Sequence, residues 1–328
     1  MVQPGRDILS FTDYSAGYLD DEGKVVNLLD RLSFTVRSGQ ALGIVGESGC
    51  GKSLTGLSAV RLLSRQIVVQ GGAIHMGERN LLQASEREMQ EIRGRDIAMV
   101  FQEPMTSLNP VLTVGFQIEE VLVRHRPDLS DAQRAEDTVS LLREVGIPTP
   151  EKRVRDYPHQ FSGGMRQRVM IAMAIACGPS LLIADEPTTA LDVTIQAQVL
   201  ELMKKLKTKG ALMLITHNLG IIADVCEEII VMYAGRIVEK ADTRSVFKNP
   251  LHPYTKGLID SIPTLRGKKK TLYSIPGMVP AARNFPEGCR FHPRCERCVD
   301  RCRKEVPDLV EVAPGHSVRC HLYEGGRG

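Results

Sequence analysis

Short unbroken apolar runs punctuate the chain at ALGIV (Ala41 to Val45), IAMVF (Ile97 to Phe101), LLIA (Leu181 to Ala184), LMLIT (Leu212 to Thr216) and IIVMY (Ile229 to Tyr233). Runs of this length without alternation are the signature of strands buried on both faces, as in a parallel sheet. Helix-compatible stretches alternate with several of them. Upstream, ILSFTDY and RLSFTV alternate apolar and polar residues, which predicts antiparallel strands at one edge. Between Glu103 and Gln160 the strand pattern vanishes, and VGFQIEEVLV and AEDTVSLLREVG carry helical spacing. An inserted helical subdomain is expected there. After Tyr233, Ala234-Gly235 turns the chain into RIVEKA, and the Pro-rich segment from Asn249 to Pro263 reads as the exit from the core. Gly267-Lys268-Lys269-Lys270 reads as a basic linker, and no internal repeat is visible.

The 328 residues exceed the usual single-domain size, so a large domain with an appendix is expected. With 42% hydrophobic and 25% charged residues the composition is that of an ordinary globular protein. The net charge of +3 is too small to suggest nucleic acid as a partner. The longest apolar run, Val169 to Cys177, falls short of the roughly 20 residues that span a bilayer, so any membrane association is expected through partner proteins. Five of the eight cysteines crowd between Cys289 and Cys320. Without an export signal, reduced thiols holding a metal are a better expectation than disulfides.

The strand at Ala41 leads directly into Gly46-Glu47-Ser48-Gly49-Cys50-Gly51-Lys52-Ser53 and then a helical stretch beginning near Leu54. Glycines in this pattern let successive backbone N–H groups turn inward as an anion nest at a helix N-terminus. Lys52 is then placed for the β- and γ-phosphates of a nucleotide and Ser53 for Mg²⁺. Three other polar groups follow strand ends, where α/β proteins put ligands. Asp185-Glu186 ends LLIA, Gln102 follows Phe101, and His217 follows Thr216. In this setting Asp185 and Gln102 suit Mg²⁺, Glu186 suits the general base for the attacking water, and His217 suits the γ-phosphate. Ser162-Gly163-Gly164 precedes a helical run and forms a second potential phosphate cradle. Two cradles are useful if two copies or homologues pack head to tail; alone, this one reads equally as an N-capped helix.

Taken together, these motifs resemble the nucleotide-binding subunit of an ATP-binding-cassette (ABC) transporter, of the peptide and dipeptide importer kind. GESGCGKS is similar to its Walker A loop, Gln102 to the Q-loop residue, FSGGM to the signature, LLIADE to Walker B, Thr189-Ala190-Leu191-Asp192 to the D-loop and His217 to the switch histidine. The resemblance implies that an aromatic residue stacks on adenine; Tyr18 fits best, with Tyr14 as the alternative. FQEPMTSLNP, HPYTKGLIDSIP, IPGMVP and the cysteine tail carry the likeness to peptide importers. Two departures stand out: Phe161 and Met165 replace Leu and Gln of the general signature, and Asn218 replaces the Asp that commonly follows the switch histidine. ATP-driven closure is expected to survive the first; the second is expected to weaken a contact across the dimer while removing no catalytic group.

The implied fold is an α/β P-loop NTPase with a mostly parallel core sheet, an antiparallel edge sheet, an inserted helical subdomain and a small cysteine-rich C-terminal metal-binding domain. An ATPase domain is expected over residues 1–248, with the helical insertion at about 103–178, and an importer-type extension over 249–328. The implied activity is ATP hydrolysis powering di- or oligopeptide import, with nickel or metallophore uptake as the alternative. Implied partners are two transmembrane permease chains, a second ATPase subunit in a heterodimer and an external substrate-binding protein. The implied location is the cytoplasmic face of the inner membrane. Cys289, Cys295, Cys302 and Cys320, spaced C-x5-C-x6-C-x17-C, resemble a tail whose four thiolates hold a [4Fe-4S] cluster. Cys298 makes a C-x2-C pair with Cys295, and His292 and His316 lie near in sequence, which keeps zinc open as the alternative.

Overall fold

The computed structural model describes residues 5–102, 107–189, 191–208, 210–262 and 274–324. The chain divides into two compact units, one of Met1–Leu9, Val36–Gln40 and Met76–Met213, the other of Ser10–Thr35, Ala41–His75 and Leu214–Gly328. The second carries the glycine loop and the cysteine tail, the first the helical insertion and the paired acids. Residues 103–106 of FQEPMTSLNP, Ala190 and the basic stretch 267–270 lie outside the described residues.

Strands β1 (Asp7–Leu19), β2 (Val25–Arg37) and β4 (Ile67–Met76) lie side by side in the order β2-β1-β4. The alternation in β1 and β2 turns every second side chain inward, stacking Phe11 on Phe34 with ring centroids 4.6 Å apart and setting Tyr14 edge-on to Phe11 at 5.4 Å. Strand β3 (Ala41–Val45) is buried at every position and pairs in parallel with β9 (Glu228–Tyr233), from Leu42 against Glu228 to Val45 against Val231. Continuous apolar sequence fits a strand covered on both faces, where no polar alternation is needed. Ala234-Gly235 reverses the chain into β10 (Arg236–Asp242), antiparallel to β9.

The C-terminal extension continues this sheet. A hairpin of β11 (Val310–Ala313) and β12 (His316–Val318) adds to β10 through Glu239 against Val318, giving the order β11-β12-β10-β9-β3. The strand of the glycine loop and the tail thus share one hydrogen-bonded sheet. The segment expected to leave the core at Asn249 instead packs onto it: Leu251, His252 and Tyr254 are buried, and Pro253 starts a helix over Pro253–Asp260. Proline is favourable at a first helical position because its missing N–H has no intrahelical partner there. Tyr233, Tyr254 and Phe291 form an aromatic cluster with centroid separations of 4.7–5.4 Å. Buried Glu239 accepts from the Leu251 and His252 amides at 2.9 and 2.8 Å and pairs with His316 Nε2 at 2.8 Å. Asp30 receives Arg236 at 2.7 Å and Arg290 at 3.0 Å. Burial alone raises the Asp30 pKa, but the two guanidinium groups hold it below its ordinary value.

In the other unit, after the two-residue β5 (Arg79–Asn80), β6 (Ile97–Val100) and β7 (Leu181–Asp185) pair in parallel from Ile97 against Leu181 to Val100 against Ala184. Helices span Val114–His125, Asp131–Glu144, Pro150–Arg153 and Gly163–Ile175. Thr113, Ser130 and Ser162 cap three of them through side-chain oxygens. Buried Gln117 ties the entry to the first, accepting from Asn109 N at 2.8 Å and donating to Asn109 O and Leu112 O at 3.1 and 3.0 Å.

Candidate functional site

The glycine loop leaves β3 at Gly46 and enters helix α1 (Lys52–Ala59). A Cβ at Gly46 would stand 2.2 Å from the Met232 carbonyl oxygen, so the loop passes too close to β9 for any side chain there. Gly51 caps α1 with φ 102°, a left-handed conformation that glycine adopts without strain. The Cys50 side chain is buried and Ser48 and Gly49 are exposed, so the loop alternates anchor and open backbone. Burial raises the Cys50 thiol pKa, making it a neutral packing group. Lys52 is buried, and its Nζ donates to Gly46 O at 2.8 Å and Glu47 O at 3.0 Å, which curls the ammonium back over the loop. Ser53 and Leu54 are half-buried in the first turn of α1, whose leading amides have no partner within the helix. A polyanion offered to this turn meets N–H donors, a helix dipole and an ammonium group together.

Glu47 is gripped from the extension. Its amide donates to the Tyr254 hydroxyl at 2.8 Å, and its carboxylate takes both ends of the Arg294 guanidinium at 2.7 and 3.0 Å. Sequence spacing carries no hint of either partner, although both lie in segments that carry the importer resemblance, HPYTKG and the residue before Cys295.

Tyr18 lies half-buried in β1, where its hydroxyl accepts from Arg283 Nε at 2.9 Å with the guanidinium 5.7 Å from the ring centre. Tyr14 is fully buried with its hydroxyl on Ser58 at 3.1 Å, whereas Tyr18 is only half-buried. His217 follows β8 (Ala211–Thr216), which is buried throughout. The neighbouring Asn218 caps the next helix, its Oδ1 accepting from Gly220 N at 2.9 Å and Ile221 N at 3.4 Å. Asparagine caps as well as aspartate, so this departure from the family pattern leaves the turn behind His217 intact.

In the other unit the parallel pairing of β6 and β7 sends Gln102 and Asp185 out at the same strand edge. Asp185 is buried at the end of β7, and Gln102 is exposed two residues beyond β6. Glu186 has φ 47°, and its Oε2 accepts from Thr189 Oγ1 at 3.1 Å. A non-glycine residue held in the left-handed region is uncommon and concentrates at working sites. Ser162 Oγ accepts from Met165 N at 3.3 Å, so it caps its helix as well as heading the second cradle. Gly163 is exposed, and a Cβ at Gly164 would meet Ile195 Cγ2 at 2.6 Å. Asp192 accepts from Ile195 N at 2.9 Å and caps the helix Val193–Lys207, the helix whose Ile195 lies against Gly164.

The cysteine tail is compact. Cys289 N donates to Cys302 O at 2.9 Å and Cys298 N to Cys295 O at 3.2 Å. Burial first, then the neighbouring thiols Cys302, Cys320 and Cys295, push Cys289 up to about 12. Burial, with Cys295 and Cys302 adding to it, takes Cys320 to about 11. Thiols are the donor type that soft metals select. Among the described residues no three His, Cys, Asp or Glu side chains are closed into a metal-holding group. Among the described residues the side chains of the tail are therefore not drawn together into a ligand set.

Among the described residues no helix is long and apolar enough to cross a membrane. Residues 29–189 match the family described as ABC transporter, and residues 238–302 match the oligopeptide/dipeptide transporter C-terminal region. The probable peptide ABC transporter ATP-binding protein y4tR of Sinorhizobium fredii is 51% identical over 95% of this chain and 94% of its own length. The oligopeptide transport ATP-binding protein AppD of Bacillus subtilis is 48% identical over 90% of this chain and 91% of its own. For the dipeptide transport ATP-binding protein DppD of Escherichia coli the figures are 47%, 94% and 96%. Among solved structures, the dimeric ATP-binding cassette MJ0796 in a post-hydrolysis state with ADP and phosphate is 25% identical, with a TM-score of 0.64, covering 72% of this chain and 99% of that one.

Proposed function

Because this chain belongs to the ATP-binding subunits of ABC peptide transporters, we propose that it hydrolyses ATP to drive import of di- and oligopeptides by a membrane complex. The observation that carries this reading is near-full-length identity to three peptide-transport ATP-binding proteins, whose match extends through the importer-type C-terminal region. Those relatives favour peptides over nickel as cargo. The domain division we propose keeps the ATPase at 1–248, with helices inserted at about 103–178, and the extension at 249–328. Two separate family matches, over 29–189 and over 238–302, support the division into an ATPase part and an importer-type part, though not its boundary at 248.

Tyr18 receives the adenine ring. The loop from Gly46 to Leu54, including Glu47, Ser48, Gly49, Cys50 and Gly51, wraps the phosphates through backbone amides, with Lys52 on the β- and γ-phosphates. Ser53, Gln102 and Asp185 hold Mg²⁺, which when bound neutralises charge developing on the phosphoryl oxygens. Glu186 takes the proton of the attacking water, and His217 and Lys52 steady the γ-phosphate as charge shifts to the leaving oxygen. Ser162, Gly163 and Gly164 face nucleotide held on a second ATPase subunit, with Asp192 at the same seam. The likeness to a dimeric cassette supports a paired working unit. A heterodimer, two permease chains at the cytoplasmic face of the membrane and an external peptide-binding protein complete the proposed assembly. Cys289, Cys295, Cys302 and Cys320 supply the thiolates for a [4Fe-4S] cluster that staples the extension, with zinc as the alternative occupant.

The test is the assembled complex in liposomes with its binding protein. Phosphate release is expected to rise with added peptides and not with nickel chelates. Glu186→Gln is expected to keep ATP binding while turnover falls by at least about a hundredfold. Near-normal turnover of that variant refutes the assigned base. Anaerobically purified protein lacking both iron and broad visible absorbance refutes the cluster.

A further inference from the structure

We infer that Arg294, from the cysteine-bearing extension, is a positioning residue for the nucleotide site: it neutralises the one carboxylate that the phosphate loop carries. The inference rests on the reading of Gly46 to Ser53 as an ATP site. Glu47 is the only acidic residue in GESGCGKS. A carboxylate beside a polyphosphate is a liability, since like charges at short range in surroundings less polar than bulk water repel. Arg294 removes that repulsion. Its guanidinium makes a two-pronged pair with Glu47 at 2.7 and 3.0 Å, while the Glu47 side chain keeps 31% of its surface in solvent and the Arg294 side chain only 5%.

Everything else that holds Arg294 also belongs to this unit. Its Nε donates to Pro276 O at 2.8 Å, a terminal nitrogen reaches Ile275 O at 3.4 Å, and another reaches the Tyr233 hydroxyl at 3.4 Å. Its flat face lies 5.7 Å from the Tyr233 ring centre and 5.9 Å from that of Phe291. A planar fork locked this way presents its charge to Glu47 with little further loss of conformational entropy. Tyr254 adds the second grip by accepting the Glu47 amide proton. The loop's second residue is thereby fixed at backbone and side chain by the extension, so ATP affinity depends on a segment more than 240 positions away in sequence, at Arg294.

A titration of the full chain with a fluorescent ATP analogue, with a melting curve for each variant, tests this. Arg294→Gln is expected to weaken the analogue about tenfold in low salt, and ADP less, because ADP carries less charge. The deficit should shrink below about threefold at about 0.5 M salt, since the Glu47 carboxylate left unpaired is partly exposed and so is screened. In a Glu47→Gln background the same Arg294→Gln change is expected to alter affinity less than twofold. Arg294→Lys restores charge without the fork and is expected to recover most of the loss, which keeps the test open if the Arg294→Gln variant unfolds. A folded Arg294→Gln protein that binds within twofold of wild type in low salt overturns the inference. So does an equal deficit in the Glu47→Gln background, or a folded Arg294→Lys protein as weak as Arg294→Gln. A wild-type chain that fails to bind the analogue overturns the ATP-site reading itself, so the two failures are separable.

Discussion

The phosphate loop and the extension that grips it are built on opposite principles. The loop is local: a buried strand, glycines where side chains cannot fit, and a helix start, all within consecutive residues. The extension is assembled from long-range polar contacts, with Glu239 holding two amides and His316, and Asp30 holding two arginines. A local device tolerates almost no change at its key glycines. A distributed one loses stability stepwise as individual contacts are removed.

The largest effect that sharpens this contrast is expected from Gly46→Ala. Its new Cβ meets the backbone oxygen of Met232 at 2.2 Å, within a parallel strand pair that cannot shift cheaply. A loss of about 3 kcal/mol in denaturant unfolding and of nucleotide binding by more than about a hundredfold should follow. A variant that still binds ATP normally would break the claim that backbone approach defines the loop. Next, Glu239→Gln keeps the size of the buried side chain but removes the charge and one acceptor. It is expected to cost about 2 kcal/mol, with ATP affinity nearly unchanged. If affinity fell in step with stability, the two regions would be one cooperative device.

The smallest effect concerns pH. Burial lowers His252 to about 4 from an ordinary 6.5, with Glu239 opposing the shift. The folded state therefore keeps His252 neutral where the unfolded chain already takes up a proton. Stability from this group is intact above pH 6.5 and is lost as pH falls from there towards 4. Between about pH 7 and about pH 5.5 the unfolding free energy should drop by about 1 kcal/mol more in wild type than in His252→Asn, read from denaturant midpoints. His252 Nδ1 accepts from Tyr254 N at 3.0 Å and caps the helix Pro253–Asp260, and equal slopes would show that this cap carries no titration cost.

Legibility follows the same division. The strands at Ala41, Ile97, Leu181, Leu212 and Ile229 are found within a residue of their expected positions, because double burial demands continuous apolar sequence. Strand β4 is not legible because QGG interrupts its apolar pattern, and the β11–β12 hairpin is not because so few residues carry no period. The helix Pro253–Asp260 reads as a departure from the core because its Pro-rich setting looks like a linker until Tyr254 finds its aromatic neighbours.

By itself the sequence determined the phosphate loop, the strand-end acids Asp185 and Glu186, and the spacing of the thiols. Each depends on residue type at short separation, which local backbone geometry converts directly into position. Only the tertiary structure decided that Tyr14 is buried while Tyr18 is half-buried, and that Arg294 and Tyr254 close on Glu47. Those outcomes turn on which distant groups the sheet brings within hydrogen-bonding distance, and a linear spacing holds no record of that.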